Sequence, residues 1–275
     1  MPELPEVETI KRDLEEKIKG KKVEKVVVVN DKCIKMPASG EFISGIEGRL
    51  FQQIKRRGKY LIIELDSGDN LVIHLKLTGR LIYSLKEKKL DYSKIIFIFY
   101  DSTQLTFTDM RGFGNVWLLP DKEFERIPSL KNLGPEPLEE EFTVDKFKEL
   151  LKEKRTDIKS LLMNQEFIAG IGNIYSQEAL FLSGIHPKRK ALSLHYEEIG
   201  RLYNNLRSVL NEAISYRGSS VDAYVDLQGE KGKYKPHLRV YGREGKNCLI
   251  CGAIIQKINI KGRGTRFCPR CQSNE

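Results

Sequence analysis

No stretch of the chain approaches the ~20 consecutive apolar residues that a membrane helix needs, and the N-terminus lacks the apolar core of a secretory signal. The expectation is therefore a soluble, cytoplasmic protein. No internal repeat is evident. Helical patterns are missing between the strand-like segments of the first 119 residues, which argues against a parallel α/β sheet. Cysteine is scarce: there are five in 275 residues, and four of them fall into a single pattern. In a chain of this size there is room for one large domain or two ordinary ones, each with its own core.

Charge is not scarce. Lysine and arginine number 47 against 38 acidic residues, a net charge of +9 and a pI near 9.1. From Arg217 to the end there are 12 basic and 5 acidic residues, so most of the excess sits in the C-terminal fifth. Concentrated positive charge suits a polyanion, because neutralising phosphates releases condensed counterions. It equally describes a solvated basic surface, so nucleic acid is a candidate partner on this ground and no more.

Along the chain, VEKVVVV (23–29), YLIIEL (60–65), NLVIHLKL (70–77), KIIFIFY (94–100) and QLTFTDM (104–110) are short and rich in β-branched or aromatic residues, with turns such as Asp66-Ser67-Gly68-Asp69 between them. They predict an antiparallel sandwich or barrel. Ahead of them Val7, Ile10 and Leu14 give an opening helix an apolar stripe. LGPEPLEEEF (133–142) reads as a linker, after which the period turns helical: Phe147, Leu150 and Leu151; Leu180 and Phe181; then Ile199, Leu202, Leu206, Val209, Leu210 and Ala213. Residues 217–236 are glycine-rich and charged and read as a mobile loop. The fold class is α+β and multidomain.

Cys248-x2-Cys251-x16-Cys268-x2-Cys271 has zinc-ribbon spacing, and a cytoplasmic chain disfavours the disulfide reading. Two CxxC turns present four thiolates to one tetrahedral ion, and 16 intervening residues suit a β-hairpin. Four thiolates leave no open position, so such a zinc holds a fold and does not hydrolyse. Cys33 is read as an inert buried thiol. Lys261-Gly262-Arg263-Gly264-Thr265-Arg266 lies at the hairpin tip, where glycines let backbone approach a duplex while Arg263 reaches phosphate. A plain basic turn is the alternative.

The first residues raise the sharpest question. MPELPEVETI places two prolines and two glutamates where chains usually fray. Pro5 suits the first turn of a helix, and Glu6 and Glu8 its positive end. Pro2 is left over. Removal of Met1 would give Pro2 a free secondary amine, and a chain-end amine, with a pKa of about 7.7–8.0, needs less depression to act as a nucleophile than a lysine at about 10.4. Glu3, beside it, is placed for general acid work. Three interior stretches carry weaker signals. Lys59, in KRRGKY (55–60), sits at the start of a strand that would hold its ammonium in place. Arg111 and Phe113, in DMRGFG (109–114), are presented beside glycines, where an aromatic could wedge into a base stack; one core Phe and one surface Arg is the bland reading. Asn173, in GIGNIY (170–175), lies near a helix N-terminus, which is a phosphate site when its amides are free.

MPELPEVE, RRGKYL, DMRGFG, GPEPL, AGIGNIY, and VYGREG followed by CxxC…GRGT…FCPRC resemble, in order and over residues 2–272, the formamidopyrimidine-DNA glycosylase (8-oxoguanine DNA glycosylase) family. The LPEVE start is similar to this branch rather than to the sister endonuclease VIII branch. The resemblance implies an N-terminal β-sandwich domain (1–132), a linker (133–141), a helix-two-turn-helix domain (142–236) with a base-covering loop (217–236), and a zinc finger (237–275), with DNA in the cleft between. It implies Pro2 as nucleophile, Glu3 as proton donor and Lys59 as a phosphate contact and proton donor in elimination. Glu6 would orient the helix and the terminus. Asn173 and Arg263 match phosphate-gripping residues. Arg111 and Phe113 match two members of the triad that fills the gap left by a flipped nucleotide, and Leu77 stands where the third is usually methionine. The expected partner is double-stranded DNA with damaged bases. One structural Zn2+ is expected, and no nucleotide cofactor, with the protein acting as a monomer associated with the nucleoid.

The chain departs from the family pattern twice. Lys89-Leu90-Asp91-Tyr92 stands where a histidine-containing run is common, and Arg217 replaces the usual first glycine at the start of the base loop. Two other readings stay open on the sequence: the same chemistry directed at oxidised pyrimidines, and a non-catalytic zinc-ribbon protein that binds nucleic acid.

Overall fold

The structure, a computed structural model, describes residues 1–273 apart from 87, 89, 122 and 222. Lys89 of the departing run, Asp222 of the 217–236 segment and the last two residues of the zinc segment lie outside the described residues. The chain divides into two compact units, Met1–Lys131 with Tyr216–Lys235, and Asn132–Ser215 with Pro236–Glu275.

The first unit opens with α1 (Leu4–Ile18). Pro5 stands in its first turn, where a missing N–H costs nothing, and Glu6 reaches back to accept the N–H of Glu3 at 2.8 Å. Leu4, Val7, Ile10, Leu14 and Ile18 recur every three or four residues and are all buried to within 1% of full. Each contributes roughly 1.5–3 kcal/mol of burial as an upper figure.

Two sheets follow. One has the order β1 (Val23–Val28), β7 (Ser93–Phe99), β8 (Gln104–Asp109), β6 (Gly79–Ser84). The other runs β2 (Ile34–Met36), β9 (Asn115–Leu119), β5 (Asn70–His74), β4 (Tyr60–Leu65), β3 (Phe51–Arg57), with the short α2 (Ser39–Ile46) between β2 and β3. All pairings are antiparallel except β2 with β9, which is parallel. The sheets meet through Phe51 of β3, whose ring lies 6.0 Å from that of Phe97 and 5.6 Å from that of Phe99 on β7, both edge-on. This is the sandwich expected, though β3 was hidden in sequence by its charges. It is an edge strand whose buried apolar residues are Phe51 and Ile54; Lys55 is exposed, while the Arg56 side chain lies against Glu8 of α1.

Segment 216–235, glycine-rich and charged, packs against the first unit's sandwich. Tyr224 and Leu227 are buried in the first unit's core, and Leu227 accepts the N–H of Tyr83 at 2.9 Å. Gly232 is there for close packing, since a Cβ would lie 2.3 Å from the carbonyl oxygen of Gly218. The glycines allow this close contact.

The second unit begins with Asn132; α3 (Pro128–Lys131) closes the first. Residues 133–139 are held rather than loose: Gly134 donates to Gln165 O at 2.8 Å, and Arg207 donates to the carbonyls of Pro137, Leu138 and Glu139. The helices are α4 (Val144–Leu151), α5 (Ile158–Leu162), α6 (Asn173–Leu182) and α7 (Tyr196–Ser215). Leu202, Leu206, Val209, Leu210 and Ala213 form the buried stripe of α7. A hairpin of β10 (Gln256–Ile260) and β11 (Arg263–Phe267) ends the chain.

Candidate active site

Pro2 and Glu3 are buried at the start of α1, Glu3 to 3% exposure, while Met1 remains exposed. Glu6 fixes this chain end from two sides. One carboxylate oxygen takes the Glu3 N–H; the other takes the N–H of Ser219 at 2.8 Å and its hydroxyl at 3.3 Å. Gly218 is obligatory beside it, with φ +80° and Glu6 atoms 2.9 Å from where a Cβ would stand. The helix that carries the N-terminus is thus tied to the 216–235 segment. Arg217 adds a second tie. It adopts φ +60°, and its guanidinium pairs with Asp13 of α1 at 2.6 Å and with Asp226 at 2.7 Å. Both carboxylates are almost fully buried. In place of the usual glycine, this residue supplies an ion-pair anchor.

Lys59 follows the β3–β4 turn, where Gly58 has φ +55°, and is 6% exposed. The preceding Arg56 donates to Glu8 of α1 at 2.9 Å and to Gly58 O at 3.0 Å, fixing the turn against the helix. Burial alone would raise the Glu8 carboxyl, but Arg56 and then Arg12 hold it below the ordinary range. Tyr60 pairs with His74 across β4 and β5, the rings 4.5 Å apart and edge-on. Burial, then the nearby Lys76 and Lys59, push His74 down to about 3, so it is a neutral imidazole, and its Nδ1 accepts the Lys76 N–H at 3.0 Å. The sequence reading missed His74 because it stands in an apolar strand with nothing nearby in sequence to mark it.

Arg111 and Phe113 share an exposed loop between β8 and β9. Phe113 is 51% exposed and the Arg111 guanidinium lies 5.0 Å from its ring centroid, a cation–π pair. The organiser of this loop is Asp109, buried to 1%. Its carboxylate accepts from Arg111 N at 3.2 Å, Gly114 N at 2.7 Å and the Thr78 hydroxyl. Thr78 adjoins Leu77, which is half-buried in the turn closed by Gly79 N to Leu75 O at 3.0 Å. One buried carboxylate therefore ties the Leu77 turn to the Arg111–Phe113 loop. Asp109 stood in the quoted motif, and a short acidic side chain followed by a glycine turn was the available signal.

In the second unit, Asn173 is the first residue of α6, with Gly172 as its N-cap, and Gly170 at φ +83° turns the chain into the helix. Arg263 opens β11 and is exposed. The four cysteines cluster: Cys248 Sγ to Cys271 Sγ is 3.9 Å, Cys251 Sγ to Cys268 Sγ is 3.4 Å, and all four lie within 4.8 Å of one another. Zinc–sulfur bonds of ~2.3 Å in a tetrahedron put sulfurs ~3.8 Å apart, so the set fits one structural zinc. The N–H groups of Ile250 and Cys271 point at Cys248 and Cys268 sulfur, each at 3.4 Å, which suits thiolates.

Three family models match in sequence order: the formamidopyrimidine-DNA glycosylase N-terminal domain over residues 1–116, its H2TH domain over 133–225, and the zinc finger found in FPG and IleRS over 245–274. The class so defined is a zinc-finger DNA glycosylase. Formamidopyrimidine-DNA glycosylases of Pelotomaculum thermopropionicum and Desulforamulus reducens are 44% and 43% identical, each alignment spanning 99% of both chains. Among solved structures, the Lactococcus lactis enzyme in complex with Fapy-dG-containing DNA superposes with a TM-score of 0.91 at 36% identity, over 99% of this chain and 100% of that one. The Thermus thermophilus protein gives 0.89 at 38%, over 100% of both. The chain belongs to the formamidopyrimidine-DNA glycosylase family.

Proposed function

We propose that the protein excises oxidised purines, 8-oxoguanine and formamidopyrimidines, from duplex DNA and then cleaves the strand at the resulting site, with the Pro2 nitrogen as nucleophile. The observation that carries this is the buried Pro2-Glu3 pair at the start of α1, fixed by the Glu6 carboxylate, in a chain of this family. Similar structures, which hold DNA with Fapy-dG or carbocyclic 8-oxo-G, support the substrate class.

A base buried in duplex cannot be reached, so the nucleotide is flipped at a cost of a few kcal/mol. Phe113, Leu77 and Arg111 fill the gap, while Asn173 and Arg263 grip phosphates and Lys59 contacts one near the reacting sugar. With Met1 removed, the Pro2 lone pair forms a bond to C1′. The glycosidic bond breaks, its electrons leave with the base, and Glu3 supplies a proton. The remaining N–H proton passes to the sugar ring oxygen as the C1′–O4′ bond breaks and the nitrogen lone pair forms an iminium at C1′, which is permanently cationic because the nitrogen comes from a secondary amine. It acidifies C2′–H; loss of that proton expels the 3′ phosphate, and a second elimination expels the 5′ phosphate, with Lys59 as a proton donor. Glu6 orients the terminus. Cys248, Cys251, Cys268 and Cys271 hold zinc, which shapes the hairpin carrying Arg263 and takes no part in the steps. The protein acts as a monomer in the cytoplasm on nucleoid DNA; no helix among the described residues is long and apolar enough to cross a membrane.

Borohydride trapping on an 8-oxoguanine:C duplex tests the reading. Met1-processed protein yields a covalent adduct at residue 2, and an N-terminally tagged chain, in which the Pro2 nitrogen is an amide, yields none there. A zinc-loaded protein with a free N-terminus that binds the duplex without forming an adduct would overturn it. A thymine glycol duplex in parallel reports whether oxidised pyrimidines are preferred instead.

A further inference from the structure

An asparagine amide has two faces of opposite polarity, and only its NH2 can serve an anion. The Asn173 amide is not left to choose. Its Oδ1 accepts from Lys159 Nζ at 2.7 Å and from Gln177 Nε2 at 3.0 Å, two donors that fix the oxygen inward. Its Nδ2 is then the group left to donate, and it does so to Gly264 O at a long 3.3 Å. A bond of that length yields readily to a charged acceptor.

Gln177 stands one turn along α6 from Asn173 and is buried to 1%. Its Nε2 lies near the Asn173 backbone carbonyl and Gly264 O at 3.3 Å as well as the Asn173 Oδ1, and its Oε1 accepts the Arg266 N–H at 2.6 Å. Gly264 and Arg266 belong to β11, the strand that Arg263 opens. The Arg266 guanidinium is engaged elsewhere, by Glu244 at 2.8 and 3.0 Å, so Gln177 holds this strand by its backbone. Every polar atom of the Gln177 side chain is spent between the first turn of α6 and β11.

We infer that Gln177 is a positioning residue for the DNA grip: it holds the Asn173 amide with its N–H outward and locks the Arg263 strand to α6, so that the two side chains meet phosphate as one pre-set clamp. This rests on the reading of Asn173 and Arg263 as phosphate contacts. A clamp ordered before binding loses less freedom on contact, which is where the affinity gain arises. Replacing Gln177 with glutamate keeps the acceptor for Arg266 N–H but sets an acceptor against Asn173 Oδ1 and Gly264 O, which turns the Asn173 amide or pushes it away.

The test is a double-mutant cycle on duplex affinity at fixed salt, with zinc content measured for every variant. Gln177→Glu, which keeps the Arg266 contact, weakens binding about tenfold in the otherwise unchanged protein but less than about twofold in an Asn173→Ala background, whereas Gln177→Leu, which also frees β11, keeps part of its loss in that background; the outcomes that follow are read on Gln177→Glu. Equal losses in both backgrounds, or no loss in either, would overturn the inference. An Asn173→Ala protein that binds as tightly as the parent would bring down the phosphate reading itself, and the inference with it; Arg263→Ala, read alongside, separates a failure at Asn173 from a failure of the whole grip.

Discussion

Ser219 donates both its backbone N–H and its hydroxyl to one oxygen of Glu6, at 2.8 and 3.3 Å, while the other oxygen of that carboxylate takes the Glu3 N–H at 2.8 Å. A single buried side chain thus sets the N-terminus and the root of the 216–235 segment at once. Glutamine has the same shape but only one acceptor oxygen, so Glu6→Gln turns an NH2 toward one of these N–H groups. The expected loss is about 1–3 kcal/mol of stability, with a slower rate of borohydride adduct formation. Urea unfolding and a trapping time course measure the two. Unchanged values of both would mean that neither tie matters.

Arg217 gives a second handle on the same segment. It pairs with Asp13 and Asp226, whose side chains are 6% and 5% exposed, but is itself 41% exposed, so the pairs lie between surface and interior cases. Arg217→Gly restores the common residue and relieves the positive φ, yet leaves two buried carboxylates without their cation. We expect a net loss of about 1–2 kcal/mol and faster hydrogen exchange at Ser219 and Leu227 than in β4. Exchange that quickens equally everywhere, or nowhere, would show that the guanidinium does not anchor the segment.

What was legible in the sequence follows from where each interaction lies along the chain. The cysteine pattern, the helical stripe of α7 and strands such as YLIIEL are local, and period or spacing reports them. β3 is obscured because an edge strand with few apolar residues among its charges looks like a basic run. The packing of segment 216–235 is not legible because its partners, Glu6, Asp13 and Tyr83, are over a hundred residues away and its glycines look the same whether they serve packing or motion. Asp109, His74 and Gln177 shape the sites through contacts across sheets or between helix and hairpin, which no single stretch displays. Pro2 and Glu3 stand out by end-group chemistry, and Lys59, Arg111, Phe113, Leu77, Asn173 and Arg263 by resemblance, because a chain end and a motif order are both local features.

Zinc removal separates the hairpin from the rest of the second unit. Its small apolar cluster, Val240, Ile255 and Phe181 around Cys248 and Cys268, offers little core without the metal. Chelation under reducing conditions should release about one zinc per chain, abolish tight duplex binding and leave the far-ultraviolet signal of the helices and the sandwich largely intact. Re-addition of zinc should restore binding. Full affinity after verified zinc loss would show that the Arg263 hairpin is not needed for the grip.

Acid should act on the first unit through His74. Its folded-state pKa is about 3, held down by burial first and then by Lys76 and Lys59, against about 6.5 in an unfolded chain. Above about pH 6.5 both states are neutral and the histidine costs nothing. As pH falls from there toward about 3, the unfolded chain binds a proton that the folded one refuses, and stability drops by up to ~1.4 kcal/mol per pH unit. Below that window both states are charged and the effect levels off. Carboxylates titrate over part of the same range, so the measurement must be a difference. His74→Asn keeps an acceptor for the Lys76 N–H and does not titrate; it loses the edge-on contact with Tyr60 and should be the less stable protein at neutral pH. Urea unfolding of both between about pH 7 and about pH 4 should give curves that converge as pH falls, the parent losing its advantage to protonation. Parallel curves would mean that the imidazole finds a way to charge in place, by local opening of the β4–β5 pair beside Lys59.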